Sequence, residues 1–390
     1  MQSERTEAPY TGLRVLELAR VLAGPWIGQT LADLGAEVIK VESPEGDETR
    51  RWGPPFAANA DGSAADAAYF HSCNRGKESL VLDFRQAADR ERVLRLAREA
   101  DVLIENFKVG GLVKYGLDYA SLARLNPSLV YCSISGFGQM GRYADRPGYD
   151  FVAQAMSGLM DVTGEPGRPP QKVGVAVADI ITGLYGLIGI QAALAERARS
   201  GRGQHVDVAL LDSTVGILAN QAMNCLIGNL LPTRMGNAHP NIAPYQEFRT
   251  ADGFIVVAVG NDAQFSCLCE ALGCPALAAD PRFAGNGARV WNRAVLEQTL
   301  APLLAALTRE AALARLEAAG VPAGPINTVA EALADPNTRE RGMVLACPAE
   351  GYRGGSLPGL ATPIRFSRSK SNPSRPAPRL GSAGDRDGWP

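Results

Sequence analysis

The N-terminal part of the chain alternates between strand and helix patterns, and this alternation restricts the fold more than any other feature. The apolar segment LRVLEL at 13–18 predicts a strand, and Pro25 then stands at the start of a helical segment, where proline is favoured. The helical segment WIGQTLADLG ends at Gly35, a residue type common just after helices, and EVIKVES predicts the next strand. A compact βαβ unit of this kind implies a parallel sheet with a right-handed crossover.

The same succession of strand, polar loop and helix is repeated further along the chain. NRGKESLVLDF, DVLIENF and SLVYCSISGFG predict three more strands, and the segment at 87–99 predicts a helix. In a doubly wound α/β sheet the carboxyl ends of the strands share one edge, and cations with backbone N–H groups at that edge suit phosphate groups. Polar and cationic residues gather at these predicted ends, at 20–25, 43–52, 85, 106–114 and 136–150.

The turn after the first predicted strand argues against a nicotinamide cofactor. It reads ARVLAGP at 19–25, and the GxGxxG pattern that lets a backbone approach a pyrophosphate is absent. An NAD-dependent oxidoreductase is therefore disfavoured, whereas another nucleotide-like ligand is compatible with this edge of the sheet.

A long apolar segment at 173–195, VGVAVADIITGLYGLIGIQAALA, contains a single ionisable residue, Asp179. Apolar residues recur at helical spacing, at Ile180, Leu184, Leu187 and Ile188, so Asp179 lies at or near the first turn of a largely buried helix. Two interpretations compete on the residues alone. The commoner role of Asp at a helix start is to cap it, whereas a carboxylate sheltered from water acts as a nucleophile or base.

Composition and charge are those of a globular chain with no bulk affinity for nucleic acid or membranes. The 390 residues are 46% hydrophobic and 21% charged, which is enough for two domains. The net charge of −2 gives no field that favours nucleic acid or an anionic membrane. Residues 1–10 lack the apolar core of a signal peptide, and Asp179 and Gln191 argue against a transmembrane span at 173–195.

The cysteines and histidines indicate a cytoplasmic protein without a metal. Seven cysteines include no CxxC pair, which is typical of reduced thiols, and the three histidines at 71, 205 and 239 form no metal motif. After residue 231 Pro, Gly and Asn become frequent. We therefore predict a large domain over 1–225, a small α+β domain over 226–325 and a return to the large domain over 326–390. From 356 onward the composition predicts an extended or mobile tail.

Six segments occur in a fixed order along the chain. They read RVLELARVLAGPWIGQTLADLGAEVIKVESPEGDETRRWGPPF, NRGKESLVLDF, ADVLIENFKVG, PGYDFVAQAMSGLMDVTG, VGVAVADIITGLYGLIGIQAAL and GRGQHVDVALLD. Together they closely resemble the class III CoA-transferases, the CaiB/BaiF family that includes formyl-CoA transferase and carnitine CoA-transferase. The resemblance covers residues 10–365, and six motifs in this order are specific even though each alone is modest.

This resemblance implies both a fold and a reaction. The fold is a Rossmann-like large domain with a parallel sheet, a smaller α+β domain, and two subunits interlocked as a homodimer. The reaction moves coenzyme A from an acyl-CoA donor such as succinyl-CoA to a carboxylic acid, with no metal. Asp179 matches the catalytic aspartate of the family, which forms an acyl anhydride and then a CoA thioester.

Further site residues follow from the resemblance, position by position. Among them, Arg85, Lys108 and Lys114 are the candidates for pairing with phosphates. The positions that match CoA contacts are Leu22, Ala23, Leu82, Arg85, Asn106, Phe107, Lys108, Lys114, Tyr149 and Asp150. The positions expected near the acyl group or the acceptor are Trp52, Tyr69, Gly236, Asn237 and His239.

The small domain departs from the pattern of formyl and oxalyl transferases. MGNAHPNIAPYQEF replaces their glycine-rich loop, which favours relatives that act on dicarboxylic acids such as succinate, glutarate or hydroxymethylglutarate. Two rival functions are an isomerase resembling α-methylacyl-CoA racemase and a non-catalytic CoA-binding homologue. The racemase carries a histidine where this chain has Tyr149, between Gly148 and Asp150, which argues against racemisation. A non-catalytic homologue would be expected to lack Asp179, which is present in this chain.

Overall fold

The computed structural model describes residues 7–371 and 374–389. Strands and helices alternate through the first half of the chain, as the sequence patterns predict. The strands are β1 (Arg14–Glu17), β2 (Glu37–Glu42), β3 (Phe56–Ala58), β4 (Ala64–Ala67), β5 (Glu78–Val81), β6 (Val102–Glu105), β7 (Val130–Ser135), β8 (His205–Ala209), β9 (Tyr245–Arg249), β10 (Phe254–Ala258), β11 (Ala323–Pro325), β12 (Val344–Pro348) and β13 (Ser356–Leu360).

The longest helix in the described part of the chain, Val177–Ser200, has 24 residues. The helices are α1 (Ala23–Asp33), α2 (Ala68–His71), α3 (Ala87–Glu99), α4 (Tyr119–Leu125), α5 (Asp150–Met156), α6 (Val177–Ser200), α7 (Leu210–Gly216), α8 (Ala219–Gly228), α9 (Asp262–Ala271), α10 (Asn286–Trp291), α11 (Arg293–Ala305), α12 (Arg309–Ala318), α13 (Val329–Ala334) and α14 (Pro336–Glu340).

The six-stranded sheet has the order β5-β2-β1-β6-β7-β8, and every neighbouring pair is parallel. The predicted α/β fold with a parallel sheet is therefore confirmed. The direction of winding reverses between β1 and β6, and in such sheets ligands bind outside the carboxyl ends of the strands at this switch point. The turn at 19–22 and the residues after β6 lie at that point.

Two apolar cores cover the two faces of this sheet. On β1 successive side chains point to opposite faces, so Val15 joins one core and Leu16 the other. The first core contains Ile27 of α1 and Ile190 of α6, and the second contains Leu96 of α3. Helices α1 and α6 thus cover one face of the sheet, and α3 with α4 covers the other.

Helix α6 is long and apolar, and it packs closely on α1. Within the described residues it is the helix whose length and composition would allow it to cross a membrane. Its packing depends on glycine, because a Cβ atom on Gly183 would stand 2.8 Å from the carbonyl oxygen of Ala23. A Cβ atom on Gly186 would stand 2.6 Å from Cδ1 of Ile27. The absence of side chains at these positions lets the two helix backbones approach each other.

The chain forms two compact units whose bounds differ from the predicted domains. Among the described residues the first unit contains 7–157, 173–217, 335–371 and 374–389, and the second contains 158–172 and 218–334. The segment 158–172 belongs to the second unit because Arg234 holds it. The Arg234 guanidinium donates to the carbonyl oxygen of Arg168 at 3.1 Å and to that of Asp161 at 3.0 Å.

The second unit has its own α+β core. Strands β9, β10 and β11 form an antiparallel sheet in the order β11-β10-β9. Ile255 of β10 packs with Phe265 of α9, Leu300 of α11 and Leu316 of α12 in one apolar cluster. Residues 218–334 thus combine an antiparallel sheet with helices around one apolar cluster.

The C-terminal residues lie on the first unit, contrary to the expectation of an extended or mobile tail. The backbone N–H of Ala383 donates to the carbonyl oxygen of Ser79 at 2.9 Å. The indole N–H of Trp389 donates to the carbonyl oxygen of Leu96 at 3.1 Å, and Arg386 pairs with Glu78. Composition failed here because a few specific contacts to β5 and α3 hold a segment that has little apolar content of its own.

Candidate active site

Asp179 lies in the first turn of α6, half-buried, with no side-chain cap at the helix start. Among the described residues its carboxylate has no hydrogen-bond or ion-pair partner. Burial, and secondly the negative charge of Asp150, raise its pKa to about 7. Asp179 therefore does not cap α6, and the commoner interpretation of its position is wrong. An unpartnered carboxylate that is partly shielded from water fits the role of a nucleophile.

Asp150, the first residue of α5, supplies the cap instead. Its Oδ1 accepts the backbone N–H of Ala178 at 2.8 Å, and its Oδ2 accepts Nε2 of Gln154 at 2.8 Å. Gln154 is fully buried and its Oε1 accepts the backbone N–H of Val173 at 2.9 Å. Asp150 is thus fixed on both oxygens, and it positions the start of α6. Its predicted contact with CoA, like that of exposed Tyr149 beside it, stays a prediction.

Two glycines hold the Asp150 loop against the end of β7. A Cβ atom on Gly136 would stand 2.6 Å from Cα of Gly148, and a Cβ atom on Gly148 would collide with Cα of Gly136. Such backbone contact is possible only without side chains. The pair fixes the distance between the sheet and Asp150, and through Asp150 the start of α6.

Replacing Gly148 by alanine is expected to reduce kcat by about 100-fold, because a displacement on the order of 1 Å at a reacting carboxylate has that effect. The new Cβ atom must push the two backbone segments apart, and Asp150 moves with them. The measurement is kcat with saturating substrates. Gly174→Ala is the matched control, because no atom lies within 4 Å of its Cβ position. Equal rates for the two variants would show that the contact does not position the site.

Tyr69 and Trp52, both expected near the acyl group, lie together. Their rings meet edge to face with centroids 5.3 Å apart. Burial raises the pKa of the Tyr69 hydroxyl above its ordinary value, and the charge of Asp179 contributes next. The structure therefore brings Trp52 and Tyr69 together, and it places Tyr69 within the electrostatic influence of Asp179.

A cavity of about 520 Å³ opens at the carboxyl ends of β1, β2, β5 and β6. Three of the residues predicted to contact CoA line it, namely Leu82, Arg85 and Phe107. Tyr115 and Phe84 also line it and were not predicted, although each is an aromatic residue in a loop that follows a predicted strand. The lining residues are Leu18, Ala19, Arg20, Lys40, Val41, Glu42, Ser43, Pro44, Glu45, Gly46, Asp47, Leu82, Asp83, Phe84, Arg85, Phe107 and Tyr115.

The other residues predicted to contact CoA do not line this cavity. Leu22 and Ala23 are buried at the start of α1. Asn106 binds the backbone of the β1–α1 turn, and its contacts with CoA stay a prediction. Lys108 and Lys114 are exposed and do not line the cavity, so of the three candidate phosphate partners the structure places Arg85 there. Its Nε donates to Asp83 Oδ1 at 2.9 Å.

The remaining predicted acceptor residues, Gly236, Asn237 and His239, belong to the second unit. Gly236 has a φ of +60° and its N–H donates to the carbonyl oxygen of Gly164 at 3.0 Å. The His239 ring packs on Tyr245 at 5.2 Å, and burial lowers its pKa. The approach of these residues to Asp179 stays a prediction. In the described part of the chain no three His, Cys, Asp or Glu side chains are grouped as metal ligands.

The raised pKa of Asp179 predicts an acid limb in the pH profile. The attacking form is the carboxylate, so kcat/KM should fall as the pH drops through about 7. Asp150→Asn removes a like charge and should move this limb to lower pH. Glu105→Gln is the control. Burial raises the pKa of the Glu105 carboxyl to about 7 as well, but Glu105 has no part in the proposed reaction. If the acid limb shifts in Glu105→Gln and does not shift in Asp150→Asn, the assignment of the limb to Asp179 is contradicted.

Comparison with known proteins agrees with this fold. The family model described as CoA-transferase family III matches residues 10–383. The chain is 54% identical to succinate–glutarate CoA-transferase of Agrobacterium fabrum, over 96% of this chain and 93% of that protein. It is 40% identical to human succinyl-CoA:glutarate CoA-transferase, over 96% of this chain and 84% of that protein.

A solved structure gives the same result. The crystal structure of a CaiB/BaiF family protein from Brucella suis is 57% identical, covers 97% of this chain and 98% of its own, and superposes with a TM-score of 0.85. The chain belongs to CoA-transferase family III, and it is an enzyme that transfers CoA between an acyl-CoA and a carboxylic acid.

Proposed function

We propose that this enzyme transfers CoA from succinyl-CoA to a dicarboxylic acid such as glutarate, with Asp179 as the covalent nucleophile. The choice of substrates is supported by 54% identity, almost from end to end, to a relative named for succinate and glutarate. The nucleophile is supported by one observation above all. The carboxylate of Asp179 is half-buried and unpartnered among the described residues, while the cap of its helix is supplied by Asp150.

The first half of the proposed reaction moves CoA from the donor to Asp179. A carboxylate oxygen of Asp179 attacks the carbonyl carbon of the thioester, the C–S bond breaks, and CoA leaves as a thiolate. The product is a mixed anhydride of Asp179 and the donor acid. The thiolate then attacks the Asp179 carbonyl carbon, and the donor acid leaves as its carboxylate. Asp179 now carries CoA as a thioester.

The second half runs the same steps in reverse with the acceptor. The acceptor carboxylate attacks the Asp179 thioester carbonyl, CoA thiolate leaves, and a second anhydride forms. The thiolate attacks the acceptor carbonyl carbon, which gives the new acyl-CoA and restores the Asp179 carboxylate. One thioester is consumed and one is formed, so the exchange needs no ATP.

The surroundings of Asp179 suit reactive anhydrides, which water would destroy. Ala178 is fully buried beside it, and the apolar face of α6 continues with Leu187 and Ile190 in the core. Tyr69 and Trp52 give an aromatic wall on the side of α2. These neighbours limit the access of water to Asp179.

We place the nucleotide end of CoA in the cavity at the strand ends. Its volume of about 520 Å³ suits an adenosine diphosphate group, with Arg85 for phosphate and Phe84, Phe107 and Tyr115 for the base. The pantetheine arm would then pass the β1–α1 turn toward Asp179. Arg85→Ala should therefore raise the KM for acyl-CoA and leave that for the free acid unchanged.

We also propose that the protein is an interlocked homodimer. Apolar side chains of α5 and α6 are exposed on the first unit, among them Phe151 at 56% and Ile188 at 58%. Exposed apolar surface of this kind marks a protein interface, and a second copy of the chain is the partner that the family resemblance implies. Light scattering on the purified protein should give twice the mass of one chain, whereas a monomer would contradict this part of the proposal.

The substrate proposal is tested by incubating the enzyme with succinyl-CoA and one carboxylate at a time. Glutarate, hydroxymethylglutarate, oxalate and acetate form the panel, and mass spectrometry identifies the thioesters. We expect glutaryl-CoA to form fastest and Asp179→Asn to form none. Rapid oxalyl-CoA formation would reject the preference for longer dicarboxylic acids such as glutarate that is based on MGNAHPNIAPYQEF. Deuterium incorporation at C2 of an acyl-CoA without transfer would instead indicate an isomerase.

A further inference from the structure

Val21, in the turn between β1 and α1, has a φ of +71°. A positive φ is strongly disfavoured for a β-branched residue, because its Cβ crowds the neighbouring carbonyl group. Such a conformation persists only where the surrounding structure enforces it, and it is found most often at functional sites. The question is therefore what holds Val21 in this conformation and what its conformation positions.

Two buried side chains bind the backbone of Val21. Its N–H donates to the Asp47 carboxylate, with distances of 3.2 Å to Oδ2 and 3.4 Å to Oδ1. Its carbonyl oxygen accepts the thiol of Cys73 at 3.4 Å. Asp47 is 3% exposed and Cys73 is fully buried, so both contacts are shielded from water.

The two residues before Val21 are held in the same way. The backbone N–H of Arg20 donates to Oδ1 of Asn106 at 3.0 Å, and its carbonyl oxygen accepts Nδ2 of Asn106 at 2.7 Å. The carbonyl oxygen of Ala19 accepts Nζ of Lys40 at 2.7 Å. Side chains from separate segments thus fix three consecutive residues of the turn.

Asp47 itself is fixed by a buried ionic network. Its Oδ2 lies 3.0 Å from Nζ of Lys40, which also donates to Oε1 of Glu17 at 3.2 Å. Its Oδ1 accepts both the backbone N–H of Thr49 at 3.0 Å and the Thr49 hydroxyl at 2.8 Å. Asp47 is therefore an immobile acceptor for the Val21 N–H.

The turn leads directly to the helix face that carries Asp179. The carbonyl oxygen of Ala23, two residues after Val21, lies 2.8 Å from the position that a Cβ atom of Gly183 would occupy. Gly183 is one helical turn after Asp179 and lies on the same face of α6. Besides burial, the charges of Asp179 and Asp47 both raise the pKa of the Tyr69 hydroxyl. Asp47, which holds the turn, and Asp179, the reacting carboxylate, therefore both act on the same side chain.

We propose that Asp47 is a positioning residue for CoA transfer, which holds Val21 in the left-handed conformation and so fixes the start of α1 against the turn of α6 that carries Asp179. Asp47 acts through the backbone and does not touch the reacting atoms. The inference rests on the proposed role of Asp179 in the reaction and not on the identity of the acceptor.

A double-mutant cycle with glycine tests this role. Asp47→Ala alone is expected to lower kcat by about 100-fold, the effect of a displacement on the order of 1 Å. Because Asp47 also lines the cavity proposed for CoA, kcat at saturating acyl-CoA is the quantity compared. In a Val21→Gly background the same Asp47→Ala change is expected to cost less than about tenfold in kcat, because glycine adopts φ of +71° without a restraint.

Val21→Ala is the matched control background, because alanine also loses side-chain volume but still disfavours positive φ. There Asp47→Ala should again cost about 100-fold in kcat.

Circular dichroism and thermal melts establish that each variant is folded. If Asp47→Ala does not fold, Asp47→Asn replaces it in the cycle. Equal losses in the glycine and alanine backgrounds would overturn the proposal. A loss of all activity in Val21→Gly alone would also overturn it. Asp179→Asn, assayed in parallel, separates failure of this positioning role from failure of the proposed nucleophile.

Discussion

Asp179→Asn is expected to reduce CoA transfer by at least about 10⁴-fold, the scale seen when a covalent nucleophile is removed from other enzymes. Asparagine keeps the shape of the side chain but has no carboxylate oxygen to attack a thioester. Because Asp179 has no hydrogen-bond partner among the described residues, the substitution breaks no hydrogen bond of the fold. The measurement is the steady-state rate of new thioester formation, together with acyl-CoA binding by calorimetry, which should persist.

Thermal stability separates this effect from unfolding. Burial raises the folded pKa of Asp179 from 3.8 to about 7, so the folded state binds more protons between these values and loses stability as the pH rises through them. Asp179→Asn removes this unfavourable ionisation. Its Tm above neutral pH is therefore expected to equal or exceed that of the unaltered enzyme. A variant that melts lower and keeps one-tenth of the activity would show that Asp179 is structural.

Lys40→Met is expected to lower the free energy of unfolding by about 3–5 kcal/mol, the range for breaking a buried ion pair by removing one partner. Burial alone would lower the pKa of Lys40, but Glu17, Asp47 and Glu42 outweigh it and raise that pKa, so the residue is charged at neutral pH. Methionine fills a similar volume and leaves the Asp47 carboxylate without its cation. Urea unfolding followed by circular dichroism measures the change.

Arg14→Met is the control for this prediction, because the Arg14–Glu99 pair at 2.9 Å is much more exposed, with 37% and 56% of the two side chains accessible. Exposed pairs contribute little, so the two variants should differ clearly in stability. If Lys40→Met lowers the free energy of unfolding no more than Arg14→Met does, then Lys77, which lies 2.8 Å from Glu17, stabilises the buried ionic network without Lys40. The buried cluster would then not be what stabilises the β1–α1 turn.

The parallel sheet could be predicted from the sequence because its signals are local. Apolar runs such as that of β1, Pro25 at a helix start and Gly35 at a helix end each depend on a few neighbouring residues. The edge of the sheet that holds the cavity follows from the strand order, since polar loop residues after parallel strands meet there. The position of Asp179 in the first turn of α6 follows from helical periodicity in the same way.

The parts that could not be predicted depend on contacts between distant segments. Asp150 caps α6 across 28 residues of sequence, and no local pattern marks it as the cap of another helix. The second unit includes 158–172 because Arg234 holds that segment, which the composition of 158–172 does not indicate. Nor does any propensity predict a left-handed valine, because tertiary contacts with Asp47 enforce it against local preference.

The most direct test is mass spectrometry of the peptide that contains Asp179 after the enzyme meets succinyl-CoA without an acceptor. Excess succinyl-CoA is first removed by gel filtration, because hydroxylamine also cleaves the free thioester. Hydroxylamine added to the isolated enzyme should then convert an aspartyl thioester into a hydroxamate at Asp179, and CoA should be released in equal amount. Asp179→Asn should give neither product, and Asp150→Asn should still give both. An unmodified Asp179 peptide from an enzyme that turns over rapidly, or a hydroxamate on another residue, would contradict a covalent role for Asp179.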